Sequence, residues 1–149
     1  MINIPNFQIV IDSREQKKYS ILGAVIGTLS TGDYSIKGLE DMFAIERKSL
    51  GDAWSSLAQD HDRFRQEMER AKDFLAFEII IEATPEKFID TWREGRKIHP
   101  NSLCGSVVKW RRDYGIQWVF VGNAAKGRRY VEWRLRQWWA SARIRGGTT

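Results

Sequence analysis

Cysteine, histidine and long apolar runs are scarce in this chain. Its 149 residues include a single cysteine, Cys104, and two histidines. A lone cysteine cannot form an internal disulfide, so we expect a cytoplasmic protein, or a nuclear one in a eukaryote. The sequence also has no Cys/His cluster that would indicate a zinc site. No apolar run is long enough to span a membrane, and the N-terminus lacks the basic and apolar segments of a signal peptide. These absences disfavour disulfide-stapled, zinc-dependent and membrane proteins.

Charge is unevenly distributed along the chain. Residues 1–92 carry 11 Lys and Arg against 16 Asp and Glu, whereas residues 93–149 carry 13 against 3. A basic surface of this kind is typical of proteins that bind the phosphate backbone of nucleic acids. A basic helix can equally be a solvated face, so the pattern alone indicates only a polyanion binder. The candidate DNA contacts in this part are Lys126, Arg128, Arg129, Arg134 and Arg136.

Hydrophobic periodicity predicts strands that alternate with helices. Strands are predicted at 9–12, within 23–30, and at 33–37, 42–48, 76–82 and 116–121. Helices are predicted from 51 to about 74, from 85 behind a Thr84 cap, from 101 to about 114, and at 125–143. The pattern favours one α/β domain over 1–149, with a mixed central sheet flanked by helices. Residues 95–100, with His99 as a loop residue, are the expected mobile loop, and 146–149 the expected frayed tail.

The most informative segment is the predicted hairpin over 33–48. Side chains alternate along a strand, so Glu46 and Lys48 share one face and Arg47 points to the other. If the two strands pair, Asp33 comes close to Glu46. Carboxylates can hold a hard cation such as magnesium, which polarises a phosphate and acidifies bound water, and a lysine can stabilise the added charge. The alternative is a solvated strand pair with a surface contact between Glu46 and Lys48.

Further motifs resemble a known nuclease family. Residues 32–33 read Gly-Asp, and after twelve residues 46–52 read Glu-Arg-Lys-Ser-Leu-Gly-Asp. Upstream, residues 12–15 read Asp-Ser-Arg-Glu, and downstream, residues 62–66 read Asp-Arg-Phe-Arg-Gln. This order of motifs resembles the XPF family of structure-specific DNA endonucleases. The resemblance is clear from about 7 to 81 and weaker beyond.

The resemblance implies a role for each acidic residue of the motifs. Asp33 and Glu46 match the principal ligands of Mg²⁺ or Mn²⁺, and Lys48 matches the catalytic lysine. Asp12, as a further metal ligand, and Glu15 match additional acidic site residues. A structural alternative for Asp12 is the capping of the turn that follows its strand.

Each of the remaining motif residues can have either a functional or a structural role. Arg14 and Arg63 are candidate phosphate contacts. Arg14 can instead brace the carboxylates, and an exposed Arg63 can equally pair with Glu67 at i+4. Arg47 is assigned to the catalytic group, where it either contacts the phosphate or braces the carboxylates. Asp52 also matches the catalytic motif, but Asp is favoured at a helix N-cap on its own account.

The resemblance also implies a fold and a function. It implies a restriction-endonuclease-like core over about 7–82, followed by a basic, Trp-rich part over about 93–145. The expected activity is metal-dependent cutting of branched DNA such as flaps and forks; the alternative is a catalytically silent DNA-binding or scaffold subunit. The helix-hairpin-helix and helicase domains of many family members have no counterpart in this sequence. A free-standing domain of this type would suit a phage or mobile-element genome.

Seven tryptophans are many for this length, and five of them lie between residues 110 and 139. Core packing is the expected role for most. For the remainder we expect self-association, because members of the family commonly work as dimers and Trp is enriched at interfaces. Stacking of unpaired bases is the alternative.

Overall fold

The computed structural model describes residues 4–57, 61–93 and 100–147. In this part the strands form one mixed sheet with the order β2-β1-β3-β4-β5-β6. β3 runs antiparallel to β1 and β4, and the remaining neighbours pair in parallel. The predicted mixed α/β sheet is therefore confirmed. The strands are β1 (Ile9–Asp12), β2 (Val25–Gly27), β3 (Tyr34–Ile36), β4 (Phe43–Lys48), β5 (Ala76–Ile81) and β6 (Gln117–Phe120).

The described helices are α1 (Leu50–Leu57), α2 (His61–Ala71), α3 (Pro85–Arg93), α4 (Pro100–Tyr114) and α5 (Ala124–Gly147). The predicted single helix from 51 to about 74 is thus described as two, with residues 58–60 outside the described part. The predicted frayed tail is wrong for Gly146 and Gly147, which continue α5, because the helical backbone extends without a break from the part of α5 that packs on the sheet, up to Ala142. Most of the predicted mobile loop, including His99, lies outside the described residues, as do the last two threonines.

Helix boundaries follow from local hydrogen bonding. The Thr84 hydroxyl accepts a hydrogen bond from the backbone N–H of Lys87 at 3.1 Å, which caps α3 as predicted. Gly115 has a φ of 68° and ends α4. Among the described helices, none combines the length and the apolarity that crossing a bilayer would require.

The sheet separates two hydrophobic cores, one on each face. Ile79 and Ile81 of β5 face the core shared with α1, α2 and α4, whereas Ile80 faces the core shared with α5. β4 alternates in the same way, so its residues present side chains to both layers. Glu46 and Lys48 therefore face the layer of α1 and α2, and α5 covers the opposite face.

Tryptophan packing follows the same division. Trp54, Trp110 and Trp138 are buried, and Trp118 and Trp139 are partly buried. Core packing thus accounts for most tryptophans whose side chains are described, as predicted. Trp133 differs, because 52% of its surface is exposed.

Candidate active site

Three strand ends meet at one edge of the sheet and bring the predicted acidic residues together. Asp12 ends β1, Asp33 directly precedes β3, and Glu46 lies near the end of β4. The backbone N–H of Asp12 donates to the Asp33 carbonyl at 2.8 Å, and the N–H of Asp33 donates to the Ile45 carbonyl at 2.9 Å. These cross-strand hydrogen bonds hold Asp12, Asp33 and Glu46 side by side.

Gly32 shapes the turn that presents Asp33. Its φ of 91° lies in the left-handed region, which glycine adopts without steric cost. A β-carbon at this position would also lie 2.9 Å from the Ala44 side chain. The turn directs Asp33 so that its Oδ2 accepts a hydrogen bond from the backbone N–H of Arg47 at 2.8 Å.

Glu46 and Lys48 share one face of β4, as strand alternation predicts. Their side chains are largely buried, and Glu46 Oε1 lies 3.7 Å from Lys48 Nζ. The ammonium also lies 5.0 Å from the centre of the Phe64 ring. The alternative of a solvated surface contact between the two is therefore wrong, because α2 covers this end of the strand.

Burial and mutual repulsion disfavour ionisation of the two carboxyls. Burial, followed by the charges of Glu15 and Glu67, raises the pKa of Asp33 to about 7 despite the hydrogen bond from Arg47. Burial also raises the pKa of Glu46 well above its usual range, with further repulsion from Asp33 and Glu67. A cation held between these groups would relieve the repulsion, so the pair is electrostatically suited to bind one.

Helix α2 contributes residues that the sequence interpretation missed. Glu67 and Arg70 line the same cleft as Asp33 and Glu46, a concavity of about 410 Å³, together with the predicted Arg63. Arg70 is fixed there by a hydrogen bond from its Nε to the Thr31 hydroxyl at 3.2 Å. Residues 63, 67 and 70 follow helical spacing on one face, and this periodicity is the signal that could have identified them.

Glu15 reaches the cleft from the loop after β1. Its Oε2 is buried and has no hydrogen-bond partner in the described part of the chain. Within residues 4–57, 61–93 and 100–147, however, no three Asp, Glu, His or Cys side chains converge tightly enough to form a ready-made metal site. The carboxylates form a loose acidic cluster, with Glu15 at its margin.

Asp12 and Arg14 are engaged with each other and with the neighbouring loop. Asp12 Oδ2 lies 3.0 Å from Arg14 Nε, and Asp12 Oδ1 accepts a hydrogen bond from the Leu29 backbone N–H at 2.9 Å. Burial alone would raise the pKa of Asp12, but the hydrogen bonds from Arg14 and Leu29 lower it below its usual value. The structure thus favours the loop-capping interpretation of Asp12, although both residues line the cleft.

Arg47 sends its side chain to the opposite face of the sheet. Its guanidinium forms an ion pair with Glu82 and donates to the Lys17 carbonyl. Of the two interpretations of Arg47, this position favours the brace over the phosphate contact.

Asp52 is not the N-cap of α1. The Ser49 hydroxyl accepts the hydrogen bond from the backbone N–H of Asp52 at 3.2 Å, so Ser49 caps the helix and Asp52 lies in its first turn. The capping alternative for Asp52 is therefore wrong. Its exposed side chain lines the cleft beside Glu46, Lys48 and Arg63.

The basic residues predicted to bind DNA in the C-terminal part all belong to α5, on the opposite face from α1 and α2. Arg134 pairs there with the buried Glu78, at 2.9 Å between Nη2 and Oε2. Arg128 pairs with Glu132 at 3.5 Å. The structure does not bring these residues into the cleft; the set is Lys126, Arg128, Arg129, Arg134 and Arg136.

Comparison with known proteins gives a family and a fold. The sequence model of the family described as ERCC4 domain matches residues 11–132. No curated protein shows a significant match. Among solved structures, XPF from Aeropyrum pernix superposes with a TM-score of 0.67 and 23% identity, over 87% of this chain and 60% of that one.

A second similar structure is XPF from Aeropyrum pernix in a complex with DNA. It superposes with a TM-score of 0.66 and 23% identity, over 88% of this chain and 64% of that one. At this level of identity the likeness demonstrates the fold. This chain spans about three fifths of the length of these two structures.

Proposed function

This chain belongs to the ERCC4-domain family of XPF-type nuclease domains, and we propose that it is a metal-dependent DNA endonuclease that cuts branched DNA. The resemblance predicted from its motifs is confirmed. The observation that carries the proposal is the buried pair Asp33 and Glu46 beside Lys48, in an open cleft at the edge of the sheet. The roles of the individual site residues are part of this proposal.

The donors in the cleft fit a hard divalent cation. Asp33 and Glu46 offer carboxylate oxygens, which Mg²⁺ and Mn²⁺ prefer. Two observations support the fit: burial and neighbouring carboxylates raise the pKa of Asp33, and the buried Oε2 of Glu15 has no hydrogen-bond partner among the described residues. When bound, such a cation would polarise the phosphate and make its bound water more acidic. Asp12 belongs to the proposed ligand set only if its bonds to Arg14 and Leu29 rearrange.

The other side chains of the cleft would bind and orient the substrate. Lys48 would stabilise charge on the phosphate oxygens, because its largely buried ammonium is held 3.7 Å from Glu46 Oε1. Arg63 and Arg14 would contact backbone phosphates around the cleft, with Asp52 and Glu67 at its wall. Arg47 would brace this group from the opposite face of β4, where its side chain pairs with Glu82.

DNA contact by α5 would form a surface separate from the cleft. Its basic residues would bind phosphates by charge, independently of sequence. A branched substrate presents more than one arm, which is consistent with contacts on two faces of one small domain. We therefore propose flaps and forks as substrates, in repair, recombination or replication of DNA.

Self-association is proposed through the exposed Trp133 and the neighbouring strand β6. Among the described strands β6 pairs on one side only, and such an edge beside the exposed Trp133 favours pairing with a second chain. A cleft of about 510 Å³ lies between them, lined by Val119, Phe120 and Trp133 among others.

A cleavage assay tests the proposed activity. Purified protein is incubated with end-labelled fork, flap, duplex and single-stranded DNA in magnesium, manganese or EDTA. We expect metal-dependent cutting near the junction, and a loss of at least about a hundredfold in Asp33→Asn and Glu46→Gln with DNA binding retained. Glu69→Gln is the matched control, because Glu69 lies on α2 but pairs outward with Lys72.

Two results would contradict the proposal. Intact DNA under every condition would favour a catalytically silent DNA-binding or scaffold subunit. Cutting that survives both carboxylate substitutions would remove Asp33 and Glu46 from the reaction.

A further inference from the structure

A cluster of three residues lies behind the proposed active site, on the α5 face of the sheet. The Arg47 guanidinium forms an ion pair with Glu82, and both side chains are mostly buried. The Tyr19 hydroxyl donates a hydrogen bond to the same Glu82 oxygen at 2.6 Å. The guanidinium carbon of Arg47 lies 4.1 Å from the centre of the Tyr19 ring, within the range of a cation–π contact. Each member of this trio therefore contacts the other two.

The neighbouring structure fixes Tyr19 in place. Its ring stacks on Tyr34 with the centroids 5.1 Å apart, and its backbone N–H donates to the Tyr34 hydroxyl at 2.9 Å. Gly127 of α5 leaves room for the Tyr19 hydroxyl, because a β-carbon at Gly127 would collide with it. Arg47 also donates to the Lys17 carbonyl, which ties the loop after β1 to β4.

The trio is connected to the active site through the backbone of Arg47. Glu46 and Lys48, on either side of Arg47, face the cleft, while the Arg47 side chain is anchored on the other face. The backbone N–H of Arg47 donates to Asp33 Oδ2 at 2.8 Å. A shift of the Arg47 side chain would therefore move the hydrogen bond that orients Asp33 and the two residues that flank it.

We propose that Tyr19 and Glu82 are positioning residues of the nuclease centre, which act through Arg47 to hold Asp33, Glu46 and Lys48 in register. This proposal rests on the proposed function for its consequence in catalysis. Neither Tyr19 nor Glu82 lines the cleft that holds Asp33 and Glu46. In this proposal neither side chain contacts the substrate, and the DNA contacts on this face are assigned to the basic side chains of α5.

A second trio of the same chemistry provides a matched control. Glu78 lies on β5 four residues before Glu82 and on the same face; it accepts a hydrogen bond from the Tyr130 hydroxyl at 2.6 Å and pairs with Arg134. Although its backbone lies on β5 beside β4, its side chain bonds to α5 and not to Arg47. Tyr130→Phe therefore removes the same kind of hydrogen bond as Tyr19→Phe without disturbing the Arg47 side chain.

The first test compares turnover in these two variants. We expect Tyr19→Phe to lower kcat about tenfold with KM for DNA within about twofold, because remote positioning changes the reacting geometry more than binding. Tyr130→Phe should lower the free energy of unfolding about as much as Tyr19→Phe does, but it should keep the wild-type kcat. Glu82→Gln should lower kcat as well, and its effect should combine less than additively with that of Tyr19→Phe. Equal kcat in Tyr19→Phe and Tyr130→Phe would overturn the proposal.

The second test needs no cleavage and so separates this proposal from the proposed function. In ¹⁵N-resolved NMR spectra of metal-free protein, the backbone N–H of Arg47 should shift in Tyr19→Phe and Glu82→Gln, and hardly at all in Tyr130→Phe. An unmoved Arg47 amide in both variants would overturn the proposal even if wild-type protein cuts DNA. If the Arg47 amide signal shifts in these variants but the wild-type protein cuts no DNA, the positioning of Arg47 by Tyr19 and Glu82 would be supported. Only the nuclease function would then be refuted.

Discussion

Asp33 shows at the scale of one residue how a buried carboxylate of the proposed active site opposes the stability of the fold. Its pKa is raised to about 7, chiefly by burial and then by the charges of Glu15 and Glu67. The folded protein therefore keeps a proton on Asp33 over a pH range in which the unfolded chain has released it. Ionising Asp33 in the folded protein without a cation costs free energy.

This pKa predicts how the stability of metal-free protein depends on pH. Between about pH 4 and pH 7 the native state binds more protons than the unfolded state, so the free energy of unfolding should fall as pH rises and level off above about 7. In Asp33→Asn this fall should be smaller, which makes the variant more stable at pH 8 by at most about 4 kcal/mol. Urea unfolding at several pH values in EDTA measures it.

The exposed Asp41 supplies the control for that experiment. Asp41→Asn also removes one carboxylate but lies in the turn of the hairpin. If both variants show the pH dependence of the wild type, Asp33 is not the titrating group.

At the scale of secondary structure, strand alternation carried more information than helix periodicity. The pattern of β4 correctly separates Glu46 and Lys48 from Arg47, because side chains on a pleated strand have only two directions. The alternation does not predict which residues contact the Arg47 side chain, because Glu82 and Tyr19 are distant from it in the sequence. The pairing partners of a buried charge depend on the tertiary fold.

Helix α1 illustrates a boundary that the sequence leaves ambiguous. Ser49 and Asp52 are both favoured caps, and the choice depends on which residue first adopts helical backbone angles. Apolar spacing through Trp54 and Phe64 predicts one helix, whereas the described residues form α1 and α2. Periodicity indicates which residues are buried, but it does not fix where a helix begins.

The cap of α1 gives a prediction at this scale. Ser49→Ala should lower the free energy of unfolding by about 1 kcal/mol, because the N–H of Asp52 loses its acceptor. Ser49→Asp should retain most of the stability, since aspartate also accepts at an N-cap. Denaturant titration compares the three proteins, and equal stability of Ser49→Ala and wild type would show that the cap contributes nothing.

At the scale of the whole molecule, the sheet separates the cleft from the basic helix. The sequence indicated the charge asymmetry but not that the acidic site and the basic residues of α5 lie on opposite faces. That arrangement depends on which side of the sheet α5 packs, and its buried stripe of Val131, Leu135 and Trp138 could pair with either face in principle. The side on which α5 packs is therefore determined by the tertiary fold.

Self-association is the prediction that belongs to this scale. Light scattering of the wild type at micromolar concentration should give twice the chain mass of 17.4 kDa, because Trp133 and β6 would be covered by a second chain. Trp133→Ser should shift the protein to the monomer. Leu75→Ser removes a comparably exposed apolar side chain just before β5 and should leave the mass unchanged. A wild-type monomer would contradict the prediction.

Gly32 has a consequence for how mutational data on this chain should be interpreted. It contributes no functional group, yet its left-handed backbone and the 2.9 Å between an added β-carbon and the Ala44 side chain make every other residue strained there. A saturation library scored on DNA cleavage would therefore rank position 32 with the carboxylates. The same library scored on protein abundance would separate them, because Gly32 variants lose folded protein whereas Asp33→Asn does not.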